Sequence, residues 1–217
     1  MCEKNVTSSK AYAATRPAGE LRDVPDDLLN EQQPVRDATV AGRTYFDVDA
    51  AIEALRIHKP QAYFMDFETV QFAVPVWNGT RPYQQIPFQF SLHRVETEGA
   101  LSYSEFPDLS GEDPSNDVAE ALTQNCGDKG PAFVFRSTSE KALIHDLIGR
   151  FPQLAVSLSA ITRRMVDQLP VVRAHYYHPA QQGGWSIQDV MPAACPHLGY
   201  DYLGGRAGRS HGHGGVS

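Results

Sequence analysis

Asp66 and Glu68 stand two residues apart in Phe64-Met65-Asp66-Phe67-Glu68, at the end of an apolar run that begins at Ala62. In an extended strand side chains alternate faces, so the two carboxylates point one way while Met65, Phe67 and Thr69 point the other. Two carboxylates sharing a surface repel, which raises the pKa of at least one of them unless a cation lies between. Hard oxygen ligands of this kind suit Mg²⁺ or Mn²⁺. A pair this short also arises as a solvated strand edge or as the first turn of a helix. What favours the metal reading is the aromatic-rich run before it, which reads as a buried strand whose terminal carboxylates need a compensating partner.

The elements that would position this pair can be read on either side of it. Asp47 can cap a helix running to Ile57, with Val48, Ala51, Ile52 and Leu55 at helical spacing and Lys59-Pro60 ending it. After the strand Ala62 to Glu68, the segment from Val70 to Pro87 holds Pro75, Asn78-Gly79, Pro82 and Pro87 and is expected to be irregular. Phe88 to Val95 alternates with a period of two, and Ala100 to Phe106 can pair with it across Thr97-Glu98-Gly99 as a hairpin. A helix is expected from Pro114 to Asn125, a short buried strand from Ala132 to Phe135, and an amphipathic helix from Ser139 to Phe151. Leu158 to Val172 reads as helical or mixed, and Ser186 can cap a short helix from Ile187 to Met191. The order α, β, β, β, α, β, α predicts an α/β layer structure with an antiparallel part and at least one parallel crossover.

The chain's 217 residues, with 41% hydrophobic and 10% aromatic residues, suffice for one domain with a substantial core and an additional arm. Residues 1–45, rich in small and polar residues and carrying Pro17, Pro25 and Pro34, are expected to be a linker or disordered arm. Residues 46–203 are expected to form the domain, and residues 204–217 a disordered glycine-rich tail. No run approaches the roughly 20 apolar residues of a membrane span, and the N-terminus lacks a signal-peptide pattern, so a cytoplasmic location is expected. Cys2, Cys126 and Cys195 are scattered and odd in number, which points to free thiols. A net charge of −7 argues against indiscriminate coating of nucleic acid, but not against an acidic site that holds metal ions.

The stretch Tyr63-Phe64-Met65-Asp66-Phe67-Glu68-Thr69, continuing through Arg81-Pro82-Tyr83-Gln84-Gln85-Ile86-Pro87-Phe88-Gln89-Phe90-Ser91-Leu92-His93, resembles an uncharacterised bacterial family, one of the domains of unknown function. That family is similar to the DEDD group of 3′-5′ exonucleases with the ribonuclease H-like fold. It is often fused behind a CRISPR-associated, RecB-like nuclease domain. The resemblance runs from about Asp47 to Leu203 and takes in Glu140-Lys141, Asp167, Tyr176-Tyr177-His178-Pro179 and Ser186-Ile187.

The resemblance implies a ribonuclease H-like mixed sheet flanked by helices and a two-metal hydrolysis of DNA or RNA. One ion would lower the pKa of the attacking water and the other would stabilise the leaving oxygen. Asp66 and Glu68 match the first acidic motif and Glu140 the second; Asp167 stands where the wider group often has an acidic residue before its final helix. Nucleic acid and a RecB-like nuclease domain are the implied partners, with no role for a membrane.

Two departures are visible. The family has an aromatic-asparagine pair and a Phe before the second acidic position; in Phe135-Arg136-Ser137-Thr138-Ser139-Glu140 the Asn is replaced by Arg136 and the Phe by Ser139. The closing motif, a His or Tyr followed by Asp on a last helix, has no match after Asp189 and Asp201, so the domain is expected to be incomplete at its C-terminus. These departures keep a second reading open, a catalytically impaired module that binds nucleic acid or supports a partner nuclease domain.

Three other constellations are present. Arg81, Tyr83 and Gln84 could line a nucleic-acid groove, since aromatic stacking and Arg–phosphate contacts grip single strands; a structural Pro-Tyr turn is an equal alternative. His175 and His178, with His197, have metal-ligand spacing only on a helix, which Pro179 disfavours; hydrogen bonding at the surface is the simpler role. His211 and His213 lie in the tail. Ser91, His93 and Asp66 invite a triad, but Ser91 lacks the sharp glycine turn of an acyl-transfer serine.

Overall fold

Asp47 caps its helix as expected: its carboxylate accepts from the Ala50 N–H at 3.1 Å. The computed structural model describes residues 20–58 and 61–198, so the glycine-rich tail, His211, His213 and Cys2 lie outside the described residues. The chain forms two compact units, one of Phe46–Tyr176 and one of the flanking segments Met1–Tyr45 and Tyr177–Ser217.

In the flanking unit, the segment expected to be an arm contains helix α1, Gln33–Ala41, with Pro34 in its first turn and Gly42 ending it at φ 62°. It buries only Ala38, so no run of large apolar residues marks it in the sequence. Arg36 holds the turn before it, donating to the Val24 carbonyl and to the carboxylates of Asp26 and Asp37.

The larger unit begins with α2, Val48–Leu55. Strand β1, Ala62–Val70, runs two residues past Glu68. β2, Ile86–Val95, and β3, Leu101–Pro107, form the expected hairpin. Then come α3, Ser115–Asn125, strand β4, Ala132–Val134, and α4, Ser137–Arg150. The mixed segment resolves into helix α5, Ala155–Arg164, strand β5, Met165–Asp167, and helix α6, Leu169–His175. Back in the flanking unit, α7, Ile187–Ala194, starts with a reciprocal cap between Ser186 and Asp189.

The five strands form one sheet in the order β3-β2-β1-β4-β5. The pairs β1/β2 and β2/β3 are antiparallel, and β1/β4 and β4/β5 are parallel. This mixed α/β sheet with flanking helices is consistent with the ribonuclease H-like fold. Its core lies on the face that carries Tyr63, Met65 and Phe67 of β1 with Phe90 and Leu92 of β2, packed with Val118 and Leu122 of α3, Leu143, Ile144 and Leu147 of α4, and Leu158 and Ile161 of α5. Full burial of each large side chain contributes about 1.5–3 kcal/mol. The opposite face carries Phe64, stacked on Phe133 at 5.1 Å, with His58 edge-on to the same ring at 5.2 Å.

Two features lock the end of the sheet where β1 and β4 begin. Gly130, at φ 80°, brings its backbone so close to the Gln61 carbonyl that a Cβ would stand 1.9 Å from that oxygen. Arg164, closing α5, donates to the carbonyls of Gly127, Lys129 and Gly130, and its guanidinium lies 5.7 Å from the centre of the buried Tyr63 ring. Among the described residues no helix is long and apolar enough to cross a membrane.

Candidate functional site

The alternation of β1 places Asp66 and Glu68 on the face of Phe64, away from the core, as its period of two requires. Across the ladder Asp66 faces Ser91 and Glu68 faces Gln89, and an irregularity between Glu68 and Thr69 then shifts the register. On its other side β1 pairs with β4 at only two positions, Tyr63 with Ala132 and Phe64 with Phe133. Beyond Phe64 that side of β1 is open. The opening lies where the antiparallel half of the sheet meets the parallel half, at the carboxyl ends of β1 and β4, which is where open α/β sheets form crevices.

Glu140 arrives there from the first turn of α4. Its side chain is buried, 8% exposed, and its Oε2 has no hydrogen-bond partner. Burial, then the charges of Asp66 and Glu68, push its carboxyl up to about 8. Asp66, although part of its surface meets solvent, is also raised by burial, partly offset by the Phe67 backbone N–H. The charges of Asp66 and Glu68 thus act on Glu140, and these are the three residues expected to be ligands. They are not drawn around one point: among the described residues no three His, Cys, Asp or Glu side chains are gathered closely enough to hold a metal ion.

Asp167 has a different position. At the end of β5 its carboxylate accepts from the backbone N–H groups of Arg136 at 3.0 Å, Ser137 at 2.8 Å and Leu169 at 3.0 Å. Burial raises this carboxyl, but the hydrogen bonds from Leu169, Ser137 and Arg136 together hold it below the usual range. Asp167 therefore caps α4 from a neighbouring strand and fixes the turn on which Glu140 sits. Arg136 takes a left-handed conformation at φ 72°. Asn enters that region several-fold more readily than most residues, which gives a physical reason for the Asn that the resemblance leads one to expect there.

The loop residues expected to touch substrate are partly engaged with the protein. Arg81 donates to Asp146 of α4 at 2.8 Å, and Gln84 donates to the same oxygen at 3.1 Å. The loop is thus tied to the helix that carries Glu140. Tyr83 is 70% exposed, on a backbone at φ 57°. No motif marks Asp146 in the sequence, since an i+6 offset from Glu140 carries none. Ser91, His93 and Asp66 form no triad: among the described residues no hydrogen bond joins them, and the His93 ring packs against Tyr103 at 4.6 Å. His178 accepts from the Ala180 N–H through Nδ1 as a local cap. Cys126 is a buried free thiol, raised by that burial, and Cys195 is also free.

The profile of a family described as a domain of unknown function (DUF2779) matches residues 63–186, more than half of the chain. The chain belongs to that family. The matched span begins at the buried Tyr63 and takes in Asp66, Glu68, Glu140 and Asp167, so the whole coupled group lies within the DUF2779 domain. No curated protein and no solved structure matches the chain.

Proposed function

We propose that this chain is a metal-dependent nuclease domain that hydrolyses phosphodiester bonds of DNA or RNA, of the 3′-5′ exonuclease type. One observation carries the reading: Glu140, distant in sequence, has a buried, unpartnered oxygen and feels the charges of Asp66 and Glu68. A buried carboxylate without hydrogen bonds, facing like charges, is costly in itself. A divalent cation would turn each of those costs into an attraction.

The available donors are carboxylate oxygens from Asp66, Glu68 and Glu140, a set that suits Mg²⁺ or Mn²⁺ better than softer metals. When bound, such ions supply a water of lowered pKa and a stabilised leaving oxygen. The chain's own groups do the rest. Glu140 holds a proton at neutral pH in the metal-free protein and would release it as the site fills. Asp167 holds the first turn of α4, and hence Glu140, in place, and the exposed Tyr83 ring offers a stacking surface for a base.

A second reading is a noncatalytic module that binds nucleic acid or supports a partner nuclease domain, RecB-like ones included. The spacing of the three carboxylates favours it. Digestion of a strand labelled at its 3′ end, with Mg²⁺ or Mn²⁺, separates the two. The nuclease reading expects metal-dependent loss of label that Asp66→Ala reduces by several orders of magnitude. Equal digestion by both chains, or none by either, leaves the module.

A further inference from the structure

An open surface groove of about 470 Å³ lies between α4 and α5. On α4 it is lined by Lys141, His145 and Ile148, and on α5 by Ser159, Thr162 and Arg163. The spacings i, i+4, i+7 and i, i+3, i+4 put each set on one face of its helix. The three basic side chains stand out in a chain of net charge −7. Most arginines of the larger unit are engaged: Arg81 with Asp146, Arg94 with Glu96, Arg150 with Asp113 and Arg164 with backbone carbonyls. Among the described residues no acidic side chain pairs with Lys141, His145 or Arg163. No acidic residue lines the groove either.

We infer that this groove binds the phosphate backbone of a single nucleic-acid strand. The inference rests on the nuclease-domain reading for the choice of polyanion, and on the groove itself for the place. Charge complementarity selects the occupant: two permanent cations and an imidazole on the rim, with Ser159 and Thr162 hydroxyls between them, match successive phosphates. Ala142, Ile148 and the aliphatic stem of Lys141 make most of the groove's exposed lining apolar, so its cations and hydroxyls lie around an apolar floor. A second groove, of about 420 Å³ and containing Phe72, Trp77 and Leu109, is rimmed by Asp108 and Glu112 and would repel the same ligand. Lys141 directly follows Glu140, so a strand lying in the basic groove passes along the helix that supplies the third carboxylate.

The test is the binding of a fluorescent oligodeoxythymidine to the full chain, followed by anisotropy over a range of salt concentrations with EDTA present to prevent hydrolysis. For single strands log K falls with log salt by about 0.7 per phosphate neutralised. The double variant Lys141→Gln/Arg163→Gln is expected to bind at least tenfold more weakly at low salt, with a slope shallower by about 1.4. Ser159→Glu, which places a negative charge between them, is expected to weaken binding comparably while keeping the wild-type thermal midpoint. Wild-type affinity and slope in the folded double variant would overturn the inference, as would a wild-type chain that binds polyglutamate and not the oligonucleotide. The outcome is separable from that of the nuclease reading. Binding that follows the expected slope without any digestion keeps the groove and removes the nuclease; digestion by a chain whose binding ignores both substitutions does the reverse.

Discussion

Glu140 makes the stability of the metal-free protein depend on pH in an unusual direction. Its carboxyl is raised from an ordinary 4.5 to about 8 in the folded chain, so between those values the folded state holds a proton that the unfolded state has released. Stability from this group is complete below pH 4.5, declines through the interval and is lost above pH 8. At about 1.36 kcal/mol per pH unit, the loss reaches about 5 kcal/mol across the whole interval. Asp66, also raised, adds to the same trend. Asp113 and Asp167 are lowered and work in the opposite sense, contributing stability that disappears only as pH falls below the ordinary carboxylate range.

Urea unfolding between pH 5 and pH 8.5 in EDTA therefore isolates the effect. The wild-type midpoint should fall steadily with pH, while that of Glu140→Gln, which keeps the shape without the charge, should be much flatter and lie higher at pH 8.5. Mn²⁺ added at pH 8 should raise the wild-type midpoint and leave the Gln variant nearly unchanged. Parallel pH profiles for the two chains would refute the coupling of Glu140 to Asp66 and Glu68, and with it the basis of the site.

Other outcomes can be checked with single substitutions. Asp167→Ala should cost about 1–2 kcal/mol in a denaturant titration, because the α4 N-terminus loses its acceptor; Asp167→Asn should recover part of that stability, and equal losses would argue against the capping role. Arg136→Asn or Arg136→Gly, relieving a left-handed backbone, should raise stability by about 0.5–1 kcal/mol by thermal melting. Gly130→Ala should destabilise by about 1–3 kcal/mol through both its positive φ and the collision with Gln61, and a neutral result would mean the turn is not held as described.

The period-two alternation of β1 and of the β2–β3 hairpin was legible in the sequence because each strand has one buried face, and such strands advertise their register. The helices α3 and α4 were legible for the same reason at a helical period. Strand β5 was not, because Met165-Val166-Asp167 is too short to display any period, and α1 was not, because it buries a single alanine. The acidic residues stand out in the sequence by type and spacing, but their different circumstances do not. Asp167 accepts from the backbone N–H groups of Arg136 and Ser137, 31 and 30 positions away, and Arg81 finds Asp146 across a loop, pairings that only the folded chain creates. The groove between α4 and α5 was likewise invisible, since Lys141 and Arg163 become neighbours only when the two helices cross.

The short connection from the end of β4 to Glu140 makes length, more than composition, the vulnerable property of that segment. Each residue turns an α-helix by about 100°, so one insertion or deletion between Ser137 and Glu140 would swing this carboxylate to another side of α4 and present a neighbour to the crevice. Substitutions at Arg136 and Ser139 leave the count intact. Drift in residue identity can therefore accumulate there while the reach of Glu140 is kept, and a single frame-preserving indel would end it.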